Sequence, residues 1–234
     1  MVSEAAPAKT CLVKPAALTM GGMNSSAMRS LLLFLLLVIV PVSAVRAAQT
    51  ILVFGDSISA GYGLAQGEGW VALLEQRVQR DKLDYRVVNA SISGETTLGG
   101  LNRISTALEE HQPAVVIVAL GGNDGLRGNP LDETRRNLIA IVQACRKAGA
   151  KVVIAGMRIP PNYGRVYTRR FEGLFAEVAR QQNVSLVPFM FQGFAEDRKM
   201  FQADGFHPAA GAQSRILDNV YHRLRPLLLP RPRR

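Results

Sequence analysis

Short runs of apolar, mostly β-branched residues alternate along the chain with longer stretches in which apolar positions recur every three or four residues. The runs Thr50–Phe54, Tyr85–Asn89, Ala114–Leu120, Lys151–Ala155 and Val184–Pro188 predict strands. Trp70–Arg80, Leu98–His111, Leu131–Ala148 and Val166–Gln182 predict amphipathic helices, and a last helix is predicted over Ala209–Leu224. Val115-Val116-Ile117-Val118 is apolar at every position, as a strand covered on both faces should be. Alternation of this kind predicts an α/β fold, a parallel sheet with helices on both faces.

The first 47 residues follow a different pattern. Arg29 precedes an unbroken apolar run, Leu31 to Val42, which ends in Ser43-Ala44-Val45-Arg46-Ala47-Ala48. A positive start, an apolar stretch too short for a bilayer and a small-residue exit describe a secretory signal peptide. We expect a signal peptide over 28–47, started at Met28 and cleaved after Ala47. Residues 1–27 are then an upstream extension, and 48–234 a single domain with a short basic Pro/Arg tail. The mature protein is expected to be exported, to a periplasm or beyond. Its length suffices for one sizeable core without disulfide staples.

Composition changes this picture little, but charge needs dividing. The formal charge of +10 over 234 residues suggests an anionic partner. Removing Lys9, Lys14, Arg29, Arg46 and Glu4 with the leader lowers it to +7, and Arg231, Arg233 and Arg234 carry three of those charges. What remains is spread among carboxylates, with no zinc-finger spacing or basic zipper, so no nucleic-acid partner is expected. Weak association with an anionic membrane surface is the partner the charge favours, for a chain expected to be a monomer. Of two cysteines, Cys11 leaves with the leader. Cys145, alone in the mature chain, lies in a helical pattern and reads as a small buried hydrophobe.

The chemistry-bearing residues follow the strands, at the sheet edge where ligand crevices form. Gly55-Asp56-Ser57-Ile58-Ser59 follows the first, Ser93-Gly94-Glu95 the second, Gly121-Gly122-Asn123-Asp124 the third, and Asp204-Gly205-Phe206-His207-Pro208 the stretch after the fifth. Of the three histidines, His111 ends a helix at the opposite edge and His222 lies inside the last helix, which leaves His207 as the candidate base. Asp204, three residues earlier, can reach the imidazole or cap a turn. Ser57 is a candidate nucleophile, although Asp56 or Ser57 also suits a helix N-cap. Asn123 fits either an oxyanion donor or a left-handed turn, and Gly94 either an open backbone N–H or a turn. Ser59 stands where the nucleophile elbow Gly-x-Ser-x-Gly has its last Gly, and Gln66 where a dinucleotide fingerprint after Gly61-Tyr62-Gly63 needs its third.

Together and in this order, these blocks resemble the SGNH (GDSL-type) hydrolase family. Phe54–Gly63, Gly122–Gly128, Arg158–Gly164 and Asp204–Pro208 are similar to the thioesterase I, arylesterase and lysophospholipase branch. The resemblance implies a three-layer α/β/α, flavodoxin-like fold around a five-stranded parallel sheet, and needs no cofactor or metal. It implies Ser57 as nucleophile, His207 as base, Asp204 as its orienting carboxylate, and an oxyanion hole from the N–H groups of Ser57 and Gly94 with the Asn123 amide. The implied substrates are small-molecule acyl esters and thioesters. Leu126, Met157, Ile159 and Pro160, apolar residues near the crevice, fit either acyl contacts or ordinary core and loop packing. A specialised carbohydrate or peptidoglycan deacylase is the alternative within enzymes; a non-catalytic lipid-binding envelope protein is the alternative outside them. Phe206 and the Arg-rich tail have no counterpart in the motifs.

Overall fold

The computed structural model describes residues 48–229; the expected leader and upstream extension, and the last five residues of the tail, lie outside them. Five strands form one parallel sheet: β1 (Gln49–Gly55), β2 (Tyr85–Asn89), β3 (Val115–Ala119), β4 (Lys151–Ala155) and β5 (Ser185–Val187). Their order across the sheet is β2-β1-β3-β4-β5, the flavodoxin-like order with its switch point between β1 and β3. Ile51 pairs with Val87 on one side and Val115 on the other, so β1 and β3 lie inside the sheet.

The alternation of side chains along a strand divides the core into two layers. Val115 and Ile117 face one side with Trp70, Leu74 and Val78 of α2 (Trp70–Arg80) and Ile216, Val220 and Leu224 of α7 (Gln213–Leu228). Val116 and Val118 face the other, against α3 (Thr97–His111), α5 (Leu131–Lys147) and α6 (Arg165–Gln182). Cys145 of α5 is fully buried there, and burial pushes its thiol up to about 12. Two short helices complete the fold at the carboxyl edge of the sheet: α1 (Ser57–Ala60) and α4 (Gly122–Leu126). Among the described residues no helix is long and apolar enough to cross a membrane.

Two local expectations differ from what forms. The last helix begins at Gln213, after a 3-10 turn over Ala210–Ala212, and runs to Leu228 rather than stopping at Leu224. Pro226 lies in its final turn, and the buried Leu228 gives that turn a reason to persist. Asn123 is not a left-handed turn residue. Gly121 takes the positive φ of 112°, and Asn123 is the second residue of α4.

Candidate active site

The end of β1 determines what Ser57 can do. Asp56 is the N-cap of α1, its Oδ1 accepting from the Ile58 N–H at 3.0 Å. Asp56 therefore takes the capping role, and Ser57, first residue of the helix, keeps its hydroxyl for another partner. That partner is His207: Nε2 lies 2.9 Å from Ser57 Oγ. On the other side of the ring, Nδ1 lies 2.7 Å from Asp204 Oδ2. Asp204 also caps its own turn, Oδ1 accepting from the backbone N–H groups of Phe206 and His207 at 2.9 and 3.0 Å. Those two N–H groups, followed by the imidazole, hold its carboxyl down to about 2. A carboxylate so fixed orients the ring with Nδ1–H donating and Nε2 open to accept from Ser57.

The histidine loop is itself anchored. Gln202 donates its backbone N–H to His207 O at 2.8 Å and its Nε2 to Tyr62 O at 2.8 Å. The Tyr62 ring lies 4.6 Å from the imidazole, tilted by 40°. Gln202 belongs to no motif, and nothing in the sequence pattern singles it out.

Asn123 Nδ2 donates to the backbone carbonyl of Glu95 at 2.9 Å and lies 3.5 Å from Asp56 Oδ2. It thereby ties α4 to the loop carrying Gly94, the residue before Glu95. Gly94 has a φ of 79°, exposed backbone, and a carbonyl that accepts from Arg127 Nη2 at 2.9 Å. Behind that loop, the Glu95 carboxylate pairs with Arg103 Nε at 2.6 Å, and Arg103 Nη1 donates to Ala90 O at 2.7 Å. The Arg103 guanidinium lies 3.9 Å from the Phe54 ring centroid, and its Nη2 is buried without a hydrogen-bond partner. Asp124, also buried, accepts from Thr97 N–H at 2.9 Å and Thr97 Oγ1 at 2.6 Å. Asp124 lies within the Gly122–Gly128 block without a role of its own there, and Arg103 and Thr97 lie outside the blocks; only their fold neighbours give the three a role.

Asp56 is buried, and desolvation raises its carboxyl from 3.8 to about 6 against the opposing pull of the Ile58 N–H and the His207 imidazole. Ser57, Asn123 and His207 all line a cavity of about 590 Å³; Gly94 is not among its lining residues. The apolar wall includes Leu126, Met157, Ile159 and Pro160, with Phe189 and Phe206 beside them. His111 ends α3, and His222 is exposed on α7, away from the cavity.

A hydroxyl, an imidazole and a carboxylate in series, at the wall of an apolar cavity, are the parts of an acyl-transfer site. A model of the GDSL-like Lipase/Acylhydrolase family matches residues 53–213, which include every residue of this arrangement. The chain belongs to that family. It is 50% identical over 201 residues to the esterase TesA of Pseudomonas aeruginosa, covering 86% of this chain and all of TesA. It is 40% identical over 195 residues to thioesterase 1/protease 1/lysophospholipase L1 of Escherichia coli, covering 83% of this chain and 92% of that protein. The crystal structure of TesA superposes with a TM-score of 0.75, covering 77% of this chain and all of that one.

Proposed function

We propose that this family member is an exported, monomeric serine hydrolase that cleaves acyl esters and thioesters through an acyl-enzyme on Ser57. The hydrogen-bonded series Ser57–His207–Asp204, at the wall of a largely apolar cavity, carries the reading. In the first step Ser57 Oγ attacks the substrate carbonyl while His207 Nε2 takes its proton. The carbonyl oxygen becomes an oxyanion, held by the backbone N–H groups of Ser57 and Gly94 and by Asn123 Nδ2–H. Collapse breaks the C–O or C–S bond, and the imidazolium returns its proton to the leaving alkoxide or thiolate. Water then attacks the acyl-enzyme with His207 again as base, releasing the carboxylic acid and restoring Ser57. Asp204 stabilises the imidazolium in both steps and takes no proton itself.

The relatives' names, esterase and thioesterase 1/lysophospholipase L1, support esters and thioesters of fatty acyl chains as the substrate class. The apolar wall favours an acyl chain over the polar face of a sugar, and so favours this reading over a carbohydrate deacylase. The leader pattern supports export, and the Arg-rich tail supports weak attraction to an anionic membrane surface.

The test compares kcat/KM for a thioester and an oxygen ester of the same medium-length acyl group, in Ala48–Arg234 and its Ser57→Ala variant. Cleavage of both by the parent and of neither by the variant is expected. Failure of the parent on both would remove the long-acyl assignment, and undiminished cleavage by the variant would remove Ser57.

A further inference from the structure

Six large apolar side chains are exposed among the described residues: Tyr62, Ile92, Leu98, Val166, Phe206 and Leu229. Five of them, all but Leu229, stand in loops or first helical turns that follow the strands, at the carboxyl edge of the sheet where the cavity opens. Tyr62 and Phe206 flank His207, the first by ring contact and the second as its neighbour in sequence. Of the five only Phe206 lines the cavity; Tyr62 and the other three lie outside the lining. Ile92 donates its N–H to Gly55 O at the end of β1, Leu98 is in the first turn of α3, and Val166 is the second residue of α6. The turn before α6 supplies Pro161 and Tyr163 to the cavity wall, which places Val166 at the mouth. The loops after β2 and β4 are separated by three strand spacings, about 14 Å. Residues that bind one substrate molecule would line the cavity. Ile92 (51% exposed), Leu98 (57%) and Val166 (75%) are instead open to solvent and absent from its lining.

Charge selects the occupant. Four exposed acids at this edge, Glu68, Glu196, Asp197 and Asp204, offset five exposed bases. Three of the bases are already engaged: Arg127 on Gly94 O, Arg158 on Glu172, and Arg198 on the carbonyls of Gln202 and Ala203. With acids and bases in these loops nearly equal in number, the site edge presents apolar side chains with little net charge. That combination suits a surface that is apolar beneath and electrically neutral outside.

From this arrangement we infer that the collar of Tyr62, Ile92, Leu98, Val166 and Phe206 docks the active-site edge on aggregated zwitterionic lipid carrying single acyl chains, such as a lysophosphatidylcholine-containing surface. The inference rests on Ser57 being the hydrolytic centre, and it adds that substrate is drawn from an aggregate rather than only from solution. Docking needs no chemistry, so it is measured apart from turnover.

Flotation with vesicles of phosphatidylcholine containing lysophosphatidylcholine is compared for the Ser57→Ala protein and for the same protein carrying Ile92→Glu, Leu98→Glu and Val166→Glu. The first should float and the second should lose binding by about tenfold or more, from the loss of three apolar burials. On the active background, the triple substitution should leave kcat/KM for soluble 4-nitrophenyl acetate within about twofold, as for exposed positions away from the reacting groups. Should the glutamates unfold the chain, Ile92→Ser with Val166→Ser is expected to weaken flotation in the same direction. Equal flotation of collar-substituted and unsubstituted proteins overturns the inference. So does flotation of the unsubstituted protein only on phosphatidylglycerol, which would make the contact electrostatic. A dimer that the same substitutions dissolve, with no flotation, would assign the collar to a second copy of the chain and overturn it too. Retained ester cleavage by the Ser57→Ala protein, with flotation as expected, would instead count against Ser57 alone.

Discussion

At the residue scale, the site depends on Asp56 occupying the N-cap so that Ser57 Oγ is left to His207. The same burial makes Asp56 a titrating group close to the reaction. Its carboxyl holds its proton more tightly folded, near 6, than unfolded, near 3.8, so acidification through that window stabilises the native state. Asp56→Asn keeps a capping oxygen and removes the titration. Between pH ~7 and ~4 the parent should gain about 2 kcal/mol on this variant, read from urea melts at each pH. A difference that does not change with pH would return Asp56 to the ordinary carboxylate range. Asp204 has the opposite sign: held near 2, its contribution is present above its unfolded value and is lost only on strong acidification. Asn123→Ala should lower kcat by ~100-fold or more, since an oxyanion donor typically contributes about 3 kcal/mol. Unchanged kcat would take Asn123 out of the hole. Sequence made Ser57, Asp204 and His207 visible because motif order and spacing constrain them. It left the cap ambiguous between Asp56 and Ser57, since both residue types cap helices equally well.

At the scale of elements, the proposed oxyanion donors Gly94 and Asn123 come from the loop after β2 and from α4, and their separation depends on side chains to which the sequence assigned no role. Arg103 reaches back from α3 to the Glu95 carboxylate and Ala90 O, and Asp124 holds Thr97 at the start of that helix. Arg103→Met should free the Gly94 loop, lowering kcat by about tenfold with KM little changed, because the loss falls on the transition state. Arg103→Lys should recover part of the rate, and steady-state kinetics on a soluble ester separate the outcomes. An equal fall in kcat/KM carried entirely by KM would make Arg103 a substrate-binding group instead. The periodic helices and apolar strands were legible almost to the residue, Trp70–Arg80 and Lys151–Ala155 among them. The helix after His207 was not. Pro226 normally ends a pattern, yet in a final turn it removes few hydrogen bonds while Leu228 still packs into the core. Contacts such as Glu95–Arg103 escape sequence reading for a different reason: a charged pair has no periodicity, and its partners are fixed by tertiary packing.

For the whole molecule, the distribution of polarity matters more than its total. Among the described residues, the loops at the catalytic edge carry exposed acids and bases in nearly equal number, and that edge holds most of the exposed large apolar side chains. Phe206, which no motif explained, belongs to that edge and to the cavity wall. Where a chain with this surface works depends on the leader pattern over 28–47. Expression of the full chain in a Gram-negative host should yield a mature N-terminus at Ala48 in the periplasmic fraction, read by N-terminal sequencing. Retention of Met28 in the cytoplasm would contradict export.

The central claim is a covalent acyl group on Ser57, and rapid quenching of turnover followed by peptide mass spectrometry tests it most directly. With 4-nitrophenyl butyrate in excess, the peptide containing Ser57 should gain one butyryl group. Asn123→Ala should form the adduct more slowly, and Ser57→Ala should carry none. An adduct on another residue, or hydrolysis by the parent with Ser57→Ala equally active, would contradict the account.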